Sequence, residues 1–241
     1  MSEQAYIGGE LELFARAGRW KRYWTSQLRP FIHGAVLEVG AGIGANTLRL
    51  RSGSERRWVC LEPDPQLAST LREQLAGTRW EATTEVVTGT VEDLGAAEQF
   101  DSILYIDVLE HIEDDRAELG RAARLLAPGG HLIVLGPAHT WLFSPFDQAI
   151  GHFRRYTTSV LGGLTPPGVR LVNAFYLDSV GLLASAANRL LLRQSLPSAR
   201  QIQVWDRLMV PCSRVLDPLT GYRAGKSVVA VWERERSRQD Y

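Results

Sequence analysis

The sequence has few cysteines, no excess of charge of either sign and no apolar run long enough to cross a bilayer. Cys60 and Cys212 are the only cysteines in 241 residues, so neither a disulfide framework nor a metal-binding spacing is present. Lysine plus arginine and aspartate plus glutamate both number 27, which gives a formal net charge of zero. Without a basic surplus, a nucleic-acid backbone is not an expected partner.

The sequence also lacks a recognisable leader. Residues 1–14 are acidic and polar, unlike a signal or transit peptide, so we expect a soluble cytoplasmic protein without stable membrane insertion. The histidines at 33, 131 and 139 have no partners at metal-ligand spacing, and we expect no metal site. A hydrophobic fraction of 45% is enough to bury the core of one elaborated α/β domain.

A glycine-rich turn is the most informative feature that is present. A buried strand pattern at residues 36–39 breaks into Gly40, Gly42 and Gly44, and a helical pattern follows at once. Such a turn points backbone N–H groups and a helix N-terminus at a ligand, and without Cβ atoms the ligand can lie against the backbone. The turn alone fits nicotinamide, flavin and adenosyl cofactors equally.

Residues after the turn narrow the choice of cofactor. A second buried strand at 57–61 ends at Glu62, where a carboxylate can accept hydrogen bonds from ribose hydroxyls. Glu38 lies inside the first strand, where dinucleotide folds usually carry an apolar residue, and would suit a ligand with an ammonium group. Two further blocks follow: F-D-S-I-L-Y-I-D-V-L-E-H-I at 100–112 and L-L-A-P-G-G at 125–130.

In this order and spacing, over residues 35–136, the motifs closely resemble those of the class I S-adenosylmethionine-dependent methyltransferases. The lead-in before residue 35 and the segment 144–157 resemble a bacterial subgroup of small methyltransferases. The resemblance implies S-adenosyl-L-methionine as the cofactor. It also implies a set of cofactor-binding residues: Glu38, Gly40, Gly42, Gly44, Asn46, Glu62, Pro63, Thr90, Val91, Glu92, Asp107, Val108 and His111. Among these, Glu38 would steer the ammonium group, Glu62 would take the ribose hydroxyls and Asp107 would border the methionine portion.

The adenine site departs from the family pattern. An aspartate often follows the third strand there and accepts from the adenine amino group, but the matching position holds Thr90. Either Thr90 or Glu92 substitutes, or backbone groups alone bind the base. The alternative is that Glu92 and Asp93 begin a solvated turn.

Alternating patterns predict the architecture. Strands are expected at 35–39, 57–61, 84–88, 101–106, 131–135, 169–176 and 227–232, with helices near 45–51, 65–76 and 115–126. The fold class is therefore α/β, a Rossmann-like seven-stranded methyltransferase sheet with helices on both faces. We expect one domain over 1–241, with an N-terminal helical cap (1–34), a core sheet (35–176 and 226–233) and a helical lid insertion (177–225). The leucine-rich part of this insertion, 182–192, is expected to pack as a lid rather than on a membrane.

Acceptor chemistry is expected downstream of the fifth strand. His152 could deprotonate a nucleophile near neutral pH, with Asp147 orienting it, while Arg154 or Arg155 could hold an anionic substrate group. The alternative is that these groups pin the loop to the sheet, and Tyr156 after Arg155 fits that alternative. Trp24 could wall the cleft, although aromatic residues at helical spacing are more often core.

Methyl transfer to a small or medium-sized acceptor is the function that these patterns favour. Oxygen is the preferred acceptor atom, because Asp107-Val108-Leu109-Glu110 stands where N-P-P-Y would occur in nucleic-acid amino methyltransferases. The acceptor could be a glycan, a lipid-linked intermediate, a secondary metabolite or a peptide carboxylate. Three alternatives remain: N-methylation of a small molecule, a non-catalytic module that binds the adenosyl cofactor, and a nicotinamide oxidoreductase.

Overall fold

The computed structural model describes residues 16–95, 97–189 and 198–236, and is built around one seven-stranded sheet. The strands are β1 (Ala35–Val39), β2 (Arg57–Glu62), β3 (Thr84–Thr88), β4 (Phe100–Ile106), β5 (Leu126–Pro137), β6 (Val169–Leu177) and β7 (Ser227–Arg234). Their order across the sheet is β3-β2-β1-β4-β5-β7-β6. The first five are parallel, whereas β7 runs antiparallel to both β5 and β6.

Helices cover both faces of this sheet. They are α1 (Gly18–Leu28), α2 (Thr47–Leu50), α3 (Pro65–Leu75), α4 (Asp115–Arg124), α5 (Pro145–Ala149), α6 (Thr158–Gly163), α7 (Ser179–Ala187), α8 (Ala199–Val204) and α9 (Val210–Leu219). A π-helical turn, Trp205–Met209, joins α8 to α9. Short 3₁₀ turns lie at Arg29–Phe31, Glu81–Thr83, Val91–Asp93, Leu109–His111 and Thr140–Leu142.

The central strands are apolar because both of their faces are covered. Side chains of β1, β2 and β4 alternate between two buried clusters, one on each face of the sheet. Leu37 and Ile103 belong to one cluster, and Val36 and Leu104 to the other. The seven-stranded α/β fold predicted from the sequence is confirmed, with strand limits that agree to within a few residues; β5, which begins at Leu126, differs most.

Two regions flank the parallel strands. The helix α1 lies before β1, and the connection between β6 and β7 contains α7, α8 and α9, as expected for a helical insertion. Residues 1–15 of the predicted cap and 190–192 of the predicted leucine-rich helix lie outside the described residues. Among the residues that the structure describes, no helix has the length and apolar character needed to span a bilayer.

Candidate functional site

The glycine turn lies at the carboxyl end of β1, between β2 and β4. Gly40, Gly42 and Gly44 have φ angles of 65°, 56° and 80°, a region that side chains disfavour. A Cβ on Gly40 would lie 2.6 Å from a methyl carbon of Val108, so the turn packs directly against Val108, two residues after the end of β4. The turn is therefore fixed by backbone conformation and by this close approach.

Glu62 ends β2 beside this turn. Its Oε2 accepts from the Gly42 N–H at 2.8 Å and its Oε1 accepts from the Asp64 N–H at 3.0 Å. Burial raises the pKa of Glu62, although these two backbone hydrogen bonds oppose that shift. Each carboxylate oxygen has a second lone pair, so Glu62 can accept further hydrogen bonds from a diol. Pro63 follows as an exposed residue at the same edge.

Asp107 follows β4 and has the chemistry of a residue at the base of a cleft. Its φ is 56°, and its N–H donates to the Leu135 carbonyl at 2.8 Å, which fixes the strained backbone. The side chain is exposed, yet loss of hydration raises its pKa because protein surrounds it. The charges of His152, Lys21 and Lys226 act in the opposite direction. An accessible carboxylate enclosed by protein fits an open ligand cleft.

Lys21 closes one side of this cleft. It extends from α1, and its Nζ donates to the Asn46 Oδ1 at 2.6 Å. Burial lowers its pKa to about 8, while the nearby Asp107 raises it. Lysine in a helix gives no sequence signal of this role, so sequence reasoning missed Lys21. Lys226 was also missed, although a residue just before an antiparallel β7 must lie at the edge where parallel strands end.

Glu38 lies beneath the turn, with 2% of its surface exposed. Its Oε2 accepts from the Trp58 indole N–H at 3.0 Å. Burial raises the pKa of Glu38 to about 7, while hydrogen bonds from Thr47 and Trp58 and the charge of Lys21 lower it. A carboxyl that titrates near neutrality is positioned to respond to a positive charge above the turn.

The candidate adenine-binding side chains make local contacts. The N–H and the hydroxyl of Thr90 both donate to the Asp93 Oδ2, at 2.7 and 3.1 Å, which forms a capping box. Glu92 pairs with Arg121, and Val91 is buried in the core. This geometry favours the interpretation that backbone groups, rather than the Thr90 or Glu92 side chains, meet a base.

A second polar group lies around His152. Its Nδ1 is 3.0 Å from the Asp147 Oδ1, and its ring centroid is 4.5 Å from that of His111. Burial opposes ionisation of Asp147, but hydrogen bonds from His152, Arg155 and Ser144 hold its pKa well below the usual range. Burial, reinforced by His152, lowers the pKa of His111 to about 4, so that imidazole is neutral at neutral pH.

This cluster can orient a proton acceptor. An ionised Asp147 that accepts from Nδ1 selects the tautomer in which Nε2 of His152 carries a lone pair. Ligand atoms of Glu110, His111 and His152 also lie within 4.8 Å of one another, so they could hold a cation as well. The structure thus brings Asp147 and His152 together as the sequence predicted, and adds Glu110 and His111 beside them.

Other predicted acceptor residues have structural roles, which corrects the sequence-based assignments. Arg155 binds both carboxylate oxygens of Asp147, at 2.8 and 3.0 Å, and Arg154 binds Asp115 at 2.8 Å. The Tyr156 side chain is fully buried. Trp24 is 1% exposed and packs in the core rather than along the cleft. The arginines pin the loop after β5, as the alternative interpretation held.

Taken together, the strand order, the antiparallel β7 and the site at the ends of β1, β2 and β4 define a class I methyltransferase fold. Residues 37–132 match the family model described as a methyltransferase domain. This match supports the resemblance of the chain to the class I S-adenosylmethionine-dependent methyltransferases.

Individual relatives agree with this assignment. Demethylmenaquinone methyltransferase of Tropheryma whipplei is 31% identical over 148 residues, 59% of each chain. Ubiquinone biosynthesis O-methyltransferase of a Bradyrhizobium species is 31% identical over 78 residues, which is 32% of this chain and 31% of the relative. The chain thus matches less than two thirds of either relative. The N-methyltransferase NodS from Bradyrhizobium japonicum WM9, solved with S-adenosyl-L-homocysteine, shares the fold with a TM-score of 0.53 at 18% identity over 83% of this chain and 78% of its own.

Proposed function

We propose that this protein transfers a methyl group from S-adenosylmethionine to a small or medium-sized acceptor, most readily at oxygen. The observation that carries the proposal is the pairing of the Glu62 carboxylate with the Gly42 N–H at 2.8 Å, beside an accessible Asp107. A carboxylate held at this edge is the group that a ribose diol needs.

The residues present fit the adenosyl cofactor. Three glycines with positive φ leave the floor of the cleft without Cβ atoms, and Glu62 offers free lone pairs. Asp107 follows β4, on the other side of β1 from Glu62. Glu38 beneath the turn would favour an ammonium group above it. Bound S-adenosylmethionine supplies an electrophilic methyl group on a sulfonium. The protein contributes chiefly orientation and exclusion of water.

His152 is the group that we assign to the acceptor's proton. The Asp147 carboxylate holds Nδ1 at 3.0 Å, so Nε2, which lies 3.9 Å from the Glu110 Oε1, is the nitrogen that we assign to take a proton from a hydroxyl. The charge of His152 acts on Asp107, which supports the assignment of both residues to one site. Oxygen as the acceptor atom agrees with the name of the Bradyrhizobium O-methyltransferase, whereas the structural neighbour is an N-methyltransferase.

A small acceptor also agrees with the charge of the chain. The formal net charge is zero, and Arg154 and Arg155 in the loop after β5 are already paired with carboxylates. Phosphate backbones are held by unpaired basic groups. We therefore propose a glycan, a lipid-linked intermediate, a secondary metabolite or a peptide carboxylate rather than nucleic acid.

Transfer of an isotopically labelled methyl group from S-adenosylmethionine into a bacterial extract tests the proposal. The extract is then separated into lipid, polar small-molecule and protein fractions. We expect label in one fraction, and much less of it with Glu62→Ala at a low concentration of S-adenosylmethionine. Binding of S-adenosylhomocysteine without any transfer would support a silent binding module instead, and neither binding nor transfer would overturn the proposal.

Replacing His152 separates its chemical role from a structural one. We expect His152→Ala to lower kcat by about 10²- to 10⁴-fold, because the proton acceptor is lost. The KM for S-adenosylmethionine should stay unchanged. His33→Ala, at an exposed histidine outside the cleft, is the matched control. Undiminished turnover with His152→Ala would return this residue to a structural role.

A further inference from the structure

One long helix of the insertion carries its acidic residues on the inner face and aliphatic residues on the outer face. The segments α8, Trp205–Met209 and α9 run without a break over residues 199–219, about 31 Å of helix. Its two aspartates, Asp206 and Asp217, are buried, and both accept hydrogen bonds from the N-terminal helix α1. Aliphatic side chains take the outer face, where polar residues would normally lie.

The outer face carries a continuous apolar surface, which we name the aliphatic stripe. It consists of Val204, Leu208, Val215, Leu216 and Leu219, which are 41%, 64%, 64%, 43% and 78% exposed. Spacings of three or four positions place such residues on one side of a helix. Exposed Cys212 fills the gap between Leu208 and Val215. Among the residues that the structure describes, half of the exposed large apolar side chains belong to this single helix.

The π-helical turn is explained by a proline. Pro211 has no N–H to donate to the Arg207 carbonyl, and its ring cannot approach that carbonyl in a regular helix. The wider turn Trp205–Met209 relieves the conflict, and the Arg19 guanidinium donates to the Arg207 carbonyl at 3.0 Å. The helix therefore continues, and the stripe stays in one line instead of breaking at the proline.

Every exposed charge on this helix is positive. Arg200, Arg207 and Arg214 are exposed and recur every seven positions, while the helix's acidic residues all point inward. A second copy of the helix packed antiparallel about Arg207 would set Arg207 against Arg207 and Arg200 against Arg214, which is unfavourable. An apolar stripe edged only by arginines is instead complementary to an anionic lipid surface.

We propose that the aliphatic stripe, with Arg200, Arg207 and Arg214, binds the surface of a membrane that contains anionic lipid. The helix lies in the interface with its apolar side chains among the acyl chains and its arginines at the head groups. This binding is independent of methyl transfer, because none of these residues belongs to the cleft.

Sedimentation of the full chain with vesicles tests the proposal. We expect binding to phosphatidylcholine vesicles that contain phosphatidylglycerol, and weaker binding to phosphatidylcholine alone. Leu208→Glu should weaken binding by at least about tenfold, since one apolar contact is replaced by a like charge. Arg214→Gln should weaken it by about fivefold. Val160→Glu, a similarly exposed position on α6, is the matched control and should bind as the original chain does.

Two results would overturn the proposal. The first is absence of vesicle binding by the original chain at low salt. The second is self-association without vesicles, measured by light scattering, that Leu208→Glu abolishes, because the stripe would then be covered by a second copy. The circular dichroism spectrum confirms that each variant is folded, so a loss of binding reports on the surface alone.

Discussion

Different contacts stabilise the cofactor edge, which is the carboxyl end of β1, β2 and β4, and the insertion between β6 and β7. At the edge, β1, β2 and β4 present backbone groups and two buried carboxylates, Glu38 and Glu62, and Glu62 and Gly42 are 20 positions apart in the chain. In the insertion, buried aspartates make the decisive contacts with a distant segment. Asp217 accepts from the Tyr23 hydroxyl, 194 positions away, and Asp206 from the Trp20 N–H, 186 positions away.

These contacts anchor the described part of the insertion to helix α1. Asp178 accepts from Trp205, Ser213 and Gly181, so it joins both ends of the insertion at one buried point. Buried carboxylates that are fully hydrogen-bonded stabilise one arrangement and penalise others. The cofactor edge also has an accessible Asp107, as a site that must admit a ligand requires.

The largest effect is expected from breaking the insertion's anchor. Asp217→Ala leaves the Tyr23 hydroxyl and the N–H groups of Asp178 and Ser179 without their acceptor in the core. At about 1–3 kcal/mol for each buried donor, the free energy of unfolding should fall by at least about 3 kcal/mol. Chemical denaturation measures this.

An exposed aspartate provides the control for that experiment. Asp114 caps α4 by accepting from the Ala117 N–H in a solvated position. Asp114→Ala should cost only about 1 kcal/mol. Equal losses in the two variants would mean that the insertion has no special anchor.

The next largest effect is expected at the cofactor edge. Glu62→Ala removes the carboxylate assigned to the ribose, and affinity for S-adenosylhomocysteine should fall about 10- to 100-fold, or about 1.4–2.7 kcal/mol. Glu55→Ala is matched, because Glu55 also accepts backbone hydrogen bonds, from Ser52 and Gly53, but at the opposite end of β2. Calorimetry that shows equal affinity for both variants would remove Glu62 from the site.

A smaller effect is expected from pH. Burial raises the pKa of Glu38 to about 7, so Glu38 is mostly protonated at pH 6. The protonated form favours the folded state, and this contribution to the free energy of unfolding is lost as pH rises through 7. A ligand ammonium group favours the ionised form. Affinity for S-adenosylhomocysteine should therefore rise up to about tenfold from pH 6 to 8, with proton release at pH 6.

Glu38→Gln is the variant that tests the origin of this pH dependence. Its amide oxygen can still accept from Trp58, so the turn keeps its support. The pH dependence of affinity should flatten in this variant. An unchanged slope would assign the titration to another group, such as Lys21 with its pKa of about 8.

The smallest effect is expected at Thr90. Because its hydroxyl is bonded to Asp93, Thr90→Ala should change affinity for S-adenosylhomocysteine by less than about threefold, under 1 kcal/mol. A loss as large as that expected for Glu62→Ala would instead identify Thr90 as the side chain that binds adenine. Competition calorimetry with adenosine distinguishes these two outcomes for Thr90→Ala.

Signals that are local in sequence predicted the fold. Strand periodicity acts within a few residues of its position, so the seven strands were predicted correctly, whereas the role of the glycines and Glu62 in cofactor binding stays a prediction. Lys21 and the partners of Asp217 depend on contacts between distant segments, which periodicity does not encode. Trp24 shows the same limit, because a helical stripe cannot reveal whether it meets a cleft or a core.

The loop after β5 shows where residue type misleads. Arg154 and Arg155 read as anion-binding groups, yet the fold supplies Asp115 and Asp147 as their partners. His152 and His111 are 41 positions apart, so no spacing rule indicated that their rings would meet. The acidic inner face and aliphatic outer face of helix 199–219 likewise became visible only when the inward direction was known.

The most direct test of the central claim is a calorimetric titration of the purified chain with S-adenosylhomocysteine, run beside a titration with NADH. The account predicts saturable one-to-one binding of S-adenosylhomocysteine and no heat of binding with NADH. Binding of NADH without binding of S-adenosylhomocysteine would contradict it, because the glycine turn and Glu62 would then serve a nicotinamide cofactor.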